Sequence, residues 1–319
     1  MYRIIILTFI LLANIGCDKK REQKVDVSNI DVNVSVERFE ENFYASKPSQ
    51  LPELKKKFPY LFPEQFHDSI WVNRMQNKEE LTLFIKSQQV FENFETEKEQ
   101  LEQLFKYVKY YFPDFEVPQV VTIISNLDYE NNVLYSGDYL FISLDMYLGE
   151  NEDVYDGFPK YISQNFRKKH LVVDVAEAIS TSIIEQNFKR QFVETMVEEG
   201  KKMYLIDVFL PEISNQEKIG YSTEKFNWIK TNEIEVWRYF IENKLLYSTD
   251  QNLYKRFISI APFSKFYMDI EKESPGRVGV YIGWQIVKAY MNNNNVTLQQ
   301  MLATDANEIF NKSYYKPKK

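Results

Sequence analysis

His170-Leu171-Val172-Val173-Asp174 sets an imidazole and a carboxylate four residues apart, and Glu198-Glu199-Gly200 follows in the next apolar-periodic stretch. If the first stretch is a helix, His170 and Asp174 lie one turn apart on a single face. At that spacing one helix can offer two ligands to a zinc ion, and Glu199 from a following helix would be the third. Such a set hydrolyses by a metal-held water whose proton passes to a neighbouring carboxylate. The same residues also read as a polar stripe on an amphipathic helix. The residue types restrain the first reading. Leu171 stands where the proton acceptor belongs, and Asp174 is a shorter reach than an imidazole. His67 and His170 are the chain's two histidines. Glu177 and Glu198 remain as alternative bases. No catalytic residue is assigned, no metal or other cofactor is expected, and His170, Asp174 and Glu199 are carried forward as a relic set. No GxSxG elbow is present for serine chemistry.

Cys17 is the single cysteine, so no intramolecular disulfide can form. It closes the opening MYRIIILTFILLANIGC, in which Arg3 precedes an apolar run from Ile4 to Ala13 and Gly16 stands directly before the thiol. The run is too short for a helix that spans a bilayer, which takes about 20 residues. The order of basic start, apolar centre and small residue is that of a secretory signal. A cysteine at its end resembles a bacterial lipoprotein signal, in which the thiol is acylated and becomes residue one. The position three before it is Asn14 rather than the usual Leu, and a buried cysteine or an uncleaved anchor is the alternative. Residues 1–16 are thus expected to be a signal peptide, 17–30 a polar flexible tether, and 31–319 one globular domain.

Gly276, Gly279 and Gly283 fall within eight residues of ESPGRVGVYIGWQ. A phosphate cradle would follow a buried strand and bring a Lys and a Ser or Thr at the helix start. Here a charged MDIEKE precedes, and no such residues follow. Ser274 fits an N-cap and Pro275 the first helical position, which would put the glycines at i, i+3 and i+7 of one helix face. Glycine within a helix costs about 0.5–1 kcal/mol against alanine. Close approach of a neighbouring backbone is the economical reason, with a small-ligand cradle as the alternative.

The elements that must position these residues change character along the chain. VNVSVERF (32–39) alternates like a half-buried strand. Three prolines between 50 and 73 break that region into short helical pieces. Helical spacing runs over 77–90 and 95–112, with Pro113 as a stop. VPQVVTIIS (117–125) is a strand buried on both faces, and NVLYSGDYLFISLD is a hairpin turning at Ser136-Gly137-Asp138. From Phe158 the chain is almost wholly helical, over 166–187, 191–210, 223–246, 250–258 and 276–292, with two short helices at the end. The fold class is α+β, predominantly helical, with a small sheet (strand plus hairpin) flanked by helices. The hairpin, the His170 helix and GRVGVYIGWQIV together resemble a degenerate zincin-like (HExxH peptidase-like) scaffold, with the departures at Leu171 and Asp174 given above.

Composition narrows the partners. The 319 residues carry a net charge of −7, which argues against nucleic acid as a general partner. With 24 Phe and 22 Tyr, a ring-rich core or binding surface is expected.

Four longer segments carry a second resemblance: RFE (38–40), LFKYVKYYFPDFEVPQVVTIIS (104–125), KIGYSTEKFNWIKTNEIEVWRYFIENKLLYSTD (218–250) and RFISIAPFSKFYMDIEKESPGRVGVYIGWQIVKAYM (256–291). With the lipoprotein start, the chain resembles the GldB family of gliding-motility lipoproteins of Bacteroidetes over essentially its whole length. The resemblance implies a cell-envelope lipoprotein required for gliding, with acyl chains such as palmitate on Cys17. The two histidines and Leu171 favour a non-enzymatic role. The expected place is the periplasmic face of the outer membrane, with the inner membrane as the alternative. The resemblance also implies partners among the gliding and type IX secretion proteins, and it brings no catalytic residues. A lipid-anchored zinc hydrolase related to HExxH peptidases is the alternative.

Overall fold

The computed structural model describes residues 25–184, 189–268 and 271–317. The expected signal peptide, Cys17 and residues 18–24 of the expected tether lie outside the described residues. The apolar members of the remaining tether residues are packed, while Asp26, Ser28 and Asn29 are exposed. Val27 is buried, a turn bonds Ile30 N–H to the Val27 carbonyl at 3.1 Å, and the Tyr107 hydroxyl reaches the Val25 carbonyl at 3.5 Å.

The N-terminal part comprises β1 (Val36–Arg38), α1 (Phe39–Tyr44), α2 (Leu51–Lys57), α3 (Asp68–Gln76), α4 (Lys78–Val90) and α5 (Glu95–Tyr111). Asn77 caps α4 by accepting from the N–H groups of Glu79 and Glu80 at 2.8 and 3.0 Å. The aromatic content is concentrated here and again near the C-terminus. Phe39 meets Phe58 edge to face, with centroids 5.1 Å apart, and Phe62 meets Trp71 likewise at 4.9 Å.

Then come β2 (Gln119–Ile123), β3 (Val133–Tyr135) and β4 (Tyr139–Ser143), which with β1 form a mixed sheet in the order β1-β2-β4-β3. β2 runs parallel to both β1 and β4, with Val121 opposite Glu37 and Phe141. Val120, Val121 and Thr122 are fully buried, as expected of a strand covered on both faces. β3 and β4 form the expected hairpin, and Gly137 supplies the positive φ its turn requires. The strand expected over 32–39 is shorter. Val32 and Val34 are buried, but strand pairing covers only Val36–Arg38, and Phe39 already opens α1.

The C-terminal part holds α6 (Lys160–Ser163), α7 (Leu171–Ile183), α8 (Phe192–Phe209), α9 (Asn215–Ile219), α10 (Thr223–Glu242), α11 (Asn252–Phe257), α12 (Val278–Asn293), α13 (Leu298–Ala303) and α14 (Ala306–Ser313). α8 and α12 pack closely and both are largely buried, although α8 also carries a charged stretch at Glu198–Lys202. No helix among the described residues is long and apolar enough to cross a membrane.

Two expectations about α12 need correction. The helix begins at Val278, so Gly276 lies before it, and only Gly279 and Gly283 are helical. Ser274 is not the cap. Its hydroxyl is turned to the loop, donating to the Glu271 carbonyl at 2.6 Å and accepting from Ser264 N–H at 3.2 Å. Arg277 holds the cap position instead, with φ +58°.

Candidate functional site

The basic run Arg167-Lys168-Lys169-His170 sits at the turn that feeds α7, and acidic groups from two distant helices meet it. Lys168 pairs with buried Glu97 of α5 at 3.0 Å and donates to the Val90 carbonyl at 3.2 Å. Arg167 grips both oxygens of Glu217 in α9, at 2.8 and 2.9 Å. Lys169 reaches the same carboxylate at 3.2 Å.

His170 is at the centre of this set and is buried. It caps α7 rather than lying inside it, because the turn 168–170 is a tighter helix and the α-helix starts at Leu171. Its Nδ1 meets Glu217 Oε1 at 2.8 Å, and its Nε2 faces Asp174 Oδ1 at 3.5 Å. The other oxygen of Asp174 accepts from the Tyr147 hydroxyl and the Asn132 amide, both at 2.7 Å. Asn132 also donates to the Tyr147 hydroxyl at 3.0 Å. Asn132 stands just before β3 and Tyr147 shortly after β4, so the Asp174 carboxylate ties α7 to the base of the hairpin.

The two carboxylates are tuned in opposite directions. Burial works to raise Glu217, but His170, Arg167 and Lys169 together outweigh it and hold the carboxyl down at about 2. Burial dominates at Asp174 and pushes its carboxyl above the ordinary range, against the opposing pull of His170, Tyr147 and Asn132. Burial likewise drives the Tyr147 phenol well up, so it serves as a hydrogen-bond donor.

Of the residues singled out from sequence, the structure brings together His170 and Asp174 but not Glu199. Glu199 pairs with Lys202 one turn along α8 at 2.8 Å. The carboxylate that meets His170 is Glu217, which spacing along the chain does not mark. A local signal was present, since Ser214-Asn215-Gln216-Glu217 is a helix start in which Ser214 Oγ accepts from Glu217 N–H at 3.2 Å. The alternative bases are engaged as well. Glu198 pairs with Lys189 and Lys201 at 3.2 and 3.1 Å, and Glu177 lies 3.9 Å from Arg277. Among the described residues no group of three or more His, Cys, Asp or Glu side chains is arranged to hold a metal ion.

The arrangement joins separate elements of the fold. Both nitrogens of the imidazole face carboxylates, and each carboxylate is further bonded to residues of another element. What the set can do is lock α7, α9 and the sheet into one register.

Gly200, Gly279 and Gly283 sit where helices nearly touch. A Cβ on Gly283 would collide with the carbonyl of Met196, and one on Gly200 with the carbonyl of Gly283. A Cβ on Gly279 would lie 2.9 Å from both the Phe257 carbonyl and a methyl of Ile258. Gly276 is equally confined, against the carbonyl of Ala261.

The family model described as gliding motility protein GldB matches residues 20–317. Comparison with curated proteins and with solved structures gives no match.

Proposed function

The chain belongs to the GldB gliding motility family, and from that premise we propose that it is a lipid-anchored envelope component that works by binding other proteins of the gliding and type IX secretion machinery rather than by turning over a substrate. Cys17 is the residue proposed to carry the acyl chains, and the globular part would stand off the periplasmic face of the outer membrane. Two or more acyl chains hold a protein on a bilayer far more firmly than one.

The observation that carries the non-enzymatic half is the engagement of His170. Water activation needs an open ligand position and a free base. Here Glu217 and Asp174 face the two imidazole nitrogens, and Lys202 holds Glu199. The polar set reads as a clamp within the fold.

The test pairs anchoring with movement. Cells expressing Cys17→Ser are expected to show no palmitate label on the protein, to release it from the membrane fraction, and to lose gliding. Cells expressing Glu199→Gln are expected to glide as the parent does. Co-isolation from cross-linked envelopes is expected to recover machinery proteins with the parent but not with Cys17→Ser. Stoichiometric zinc in the purified protein, with a hydrolytic activity lost in His170→Ala, would overturn the binding role. Continued lipid labelling of Cys17→Ser would overturn the anchor.

A further inference from the structure

Beside the His170 clamp, three segments of chain enclose a cavity of about 230 Å³. One wall is α6 and the residues after it, the second is the Gly220–Ser222 turn that joins α9 to α10, and the third is the loop leading into α12. Lys160, Lys225 and Arg277 line it, one cation from each wall's neighbourhood. Among the described residues no Asp or Glu lines it. In a chain with 46 acidic against 39 basic residues, the charged side chains that line this cavity are all cations, of which Lys160 is exposed and also pairs with Glu150 at 3.3 Å.

The walls are tied to one another before any ligand arrives. Gln164 and Asn165 both donate to the Gly220 carbonyl, at 3.0 and 3.2 Å. The Tyr221 hydroxyl donates to the Gly276 carbonyl at 2.6 Å. Lys225 donates to the carbonyls of Lys272, Glu273 and Ser274 at 2.8 to 3.0 Å, which fixes the third wall and leaves the ammonium charge beside the cavity. Arg277 differs from Lys225 in being weakly held. Its ion pair with Glu177 spans 3.9 Å, and that glutamate is 44% exposed. The Arg277 side chain is nonetheless only 18% exposed, so a largely desolvated guanidinium lines the cavity with a distant counter-charge.

We propose that this cavity binds a small oxyanion, a phosphate or carboxylate group, with Arg277 as its principal partner and Lys160 and Lys225 supplying charge. A guanidinium offers a planar pair of donors that matches either group bidentately. The volume is below the roughly 300–1,000 Å³ of drug-sized sites, so the anionic group and a few further atoms fill it. Tyr161 and Tyr221 provide flat walls for those atoms.

The test uses the purified protein with inorganic phosphate, acetate and chloride at matched ionic strength, read by calorimetry and by thermal shift. Saturable binding of phosphate or acetate above chloride is expected. Arg277→Gly is the informative variant, because the φ of +58° at this position suits glycine. It should fold at least as stably as the parent while binding the anion at least about tenfold more weakly, the scale of one lost charge-assisted bond. Lys160→Ala should weaken binding to a smaller degree, and Arg277→Lys should recover part of it. Sedimentation with phosphatidylglycerol vesicles but not with phosphatidylcholine, lost in Arg277→Gly, would place the anion on a lipid headgroup. Phosphate binding without vesicle binding would place it on a soluble molecule. Equal response to chloride, or unchanged anion binding in Arg277→Gly, would overturn the site.

Discussion

Gly200 of α8 and Gly283 of α12 meet backbone to backbone, and neither position has room for a single methyl group. The close backbone approach expected at the α12 glycines is met at Gly283, where two core helices come into direct contact. The obstacle at Gly283 is the main chain of Met196, which cannot rotate away. Gly283→Ala should therefore destabilise by overpacking, about 3 kcal/mol. Gly279→Ala should be milder, because its obstacles stand at 2.9 Å, one of them the movable tip of Ile258 and the other the Phe257 carbonyl, and alanine favours the helix by about 1 kcal/mol. Urea denaturation of the two variants checks the order, and a Gly279→Ala loss larger than that of Gly283→Ala would contradict it.

Asp207 anchors a second buried set in α8. It accepts from Lys218 and Lys288 at 2.8 Å each and from the Trp284 indole at 2.7 Å, and Lys288 also lies 3.8 Å above the Trp284 ring. Asp207→Asn removes the counter-charge of Lys218, whose side chain is buried, and should cost about 3–5 kcal/mol. The double variant Asp207→Asn, Lys218→Met should regain part of that loss, since the stranded charge goes with it. Denaturation midpoints of the single and double variants measure the coupling.

Elements whose signals are local were legible in the sequence. The 77–90 and 95–112 helices end within a residue or two of their expected limits, because apolar spacing and the flanking residues agree. The hairpin is legible because Gly137 meets a turn's demand for positive φ. The start of α12 was misplaced because Ser274-Pro275 has the local form of a cap, whereas bonds to the Glu271 carbonyl three residues back and to Ser264 across the loop draw the serine away. His170 and Asp174 were legible as a pair one turn apart. Glu217 was not, since it arrives from 47 residues away through the packing of α9 and no periodicity encodes that. The closeness of α8 to α12 was half legible: Gly283 announced that a backbone comes close to α12 without naming which, and Gly200, inside a charged EEGKK, gave no sign from the other side.

The packed chain begins before residue 31. Val27 is buried against the core, and burying a valine is worth about 1.5–3 kcal/mol. Removing residues 25–30 along with 17–24 should lower the stability by about 2 kcal/mol relative to removing 17–24 alone. Calorimetric melting of the two truncated proteins tests this, and identical melting temperatures would return those residues to the tether.

The Glu217 carboxyl, held at about 2 against an ordinary 4.5, gives the clamp a predictable pH dependence. A depressed carboxylate pKa contributes stability that is complete above the unfolded value and is lost as pH falls toward the folded one. The contribution of Glu217 should thus be intact at pH 6 and decline between about 4.5 and 2. Asp174 has the opposite sign. Its raised carboxyl favours the protonated form in the fold, so its contribution is present below 3.8 and is lost as pH rises through the folded value. The two must be separated by variants. The stability gap between parent and Glu217→Gln should be wide at pH 6 and narrow at pH 3. Tyr147→Phe should destabilise by about 1–3 kcal/mol at pH 6, because the Asp174 carboxyl then loses a buried hydrogen-bond donor. Urea titrations at the two pH values decide it, and a Glu217→Gln gap that widens on acidification would refute the clamp.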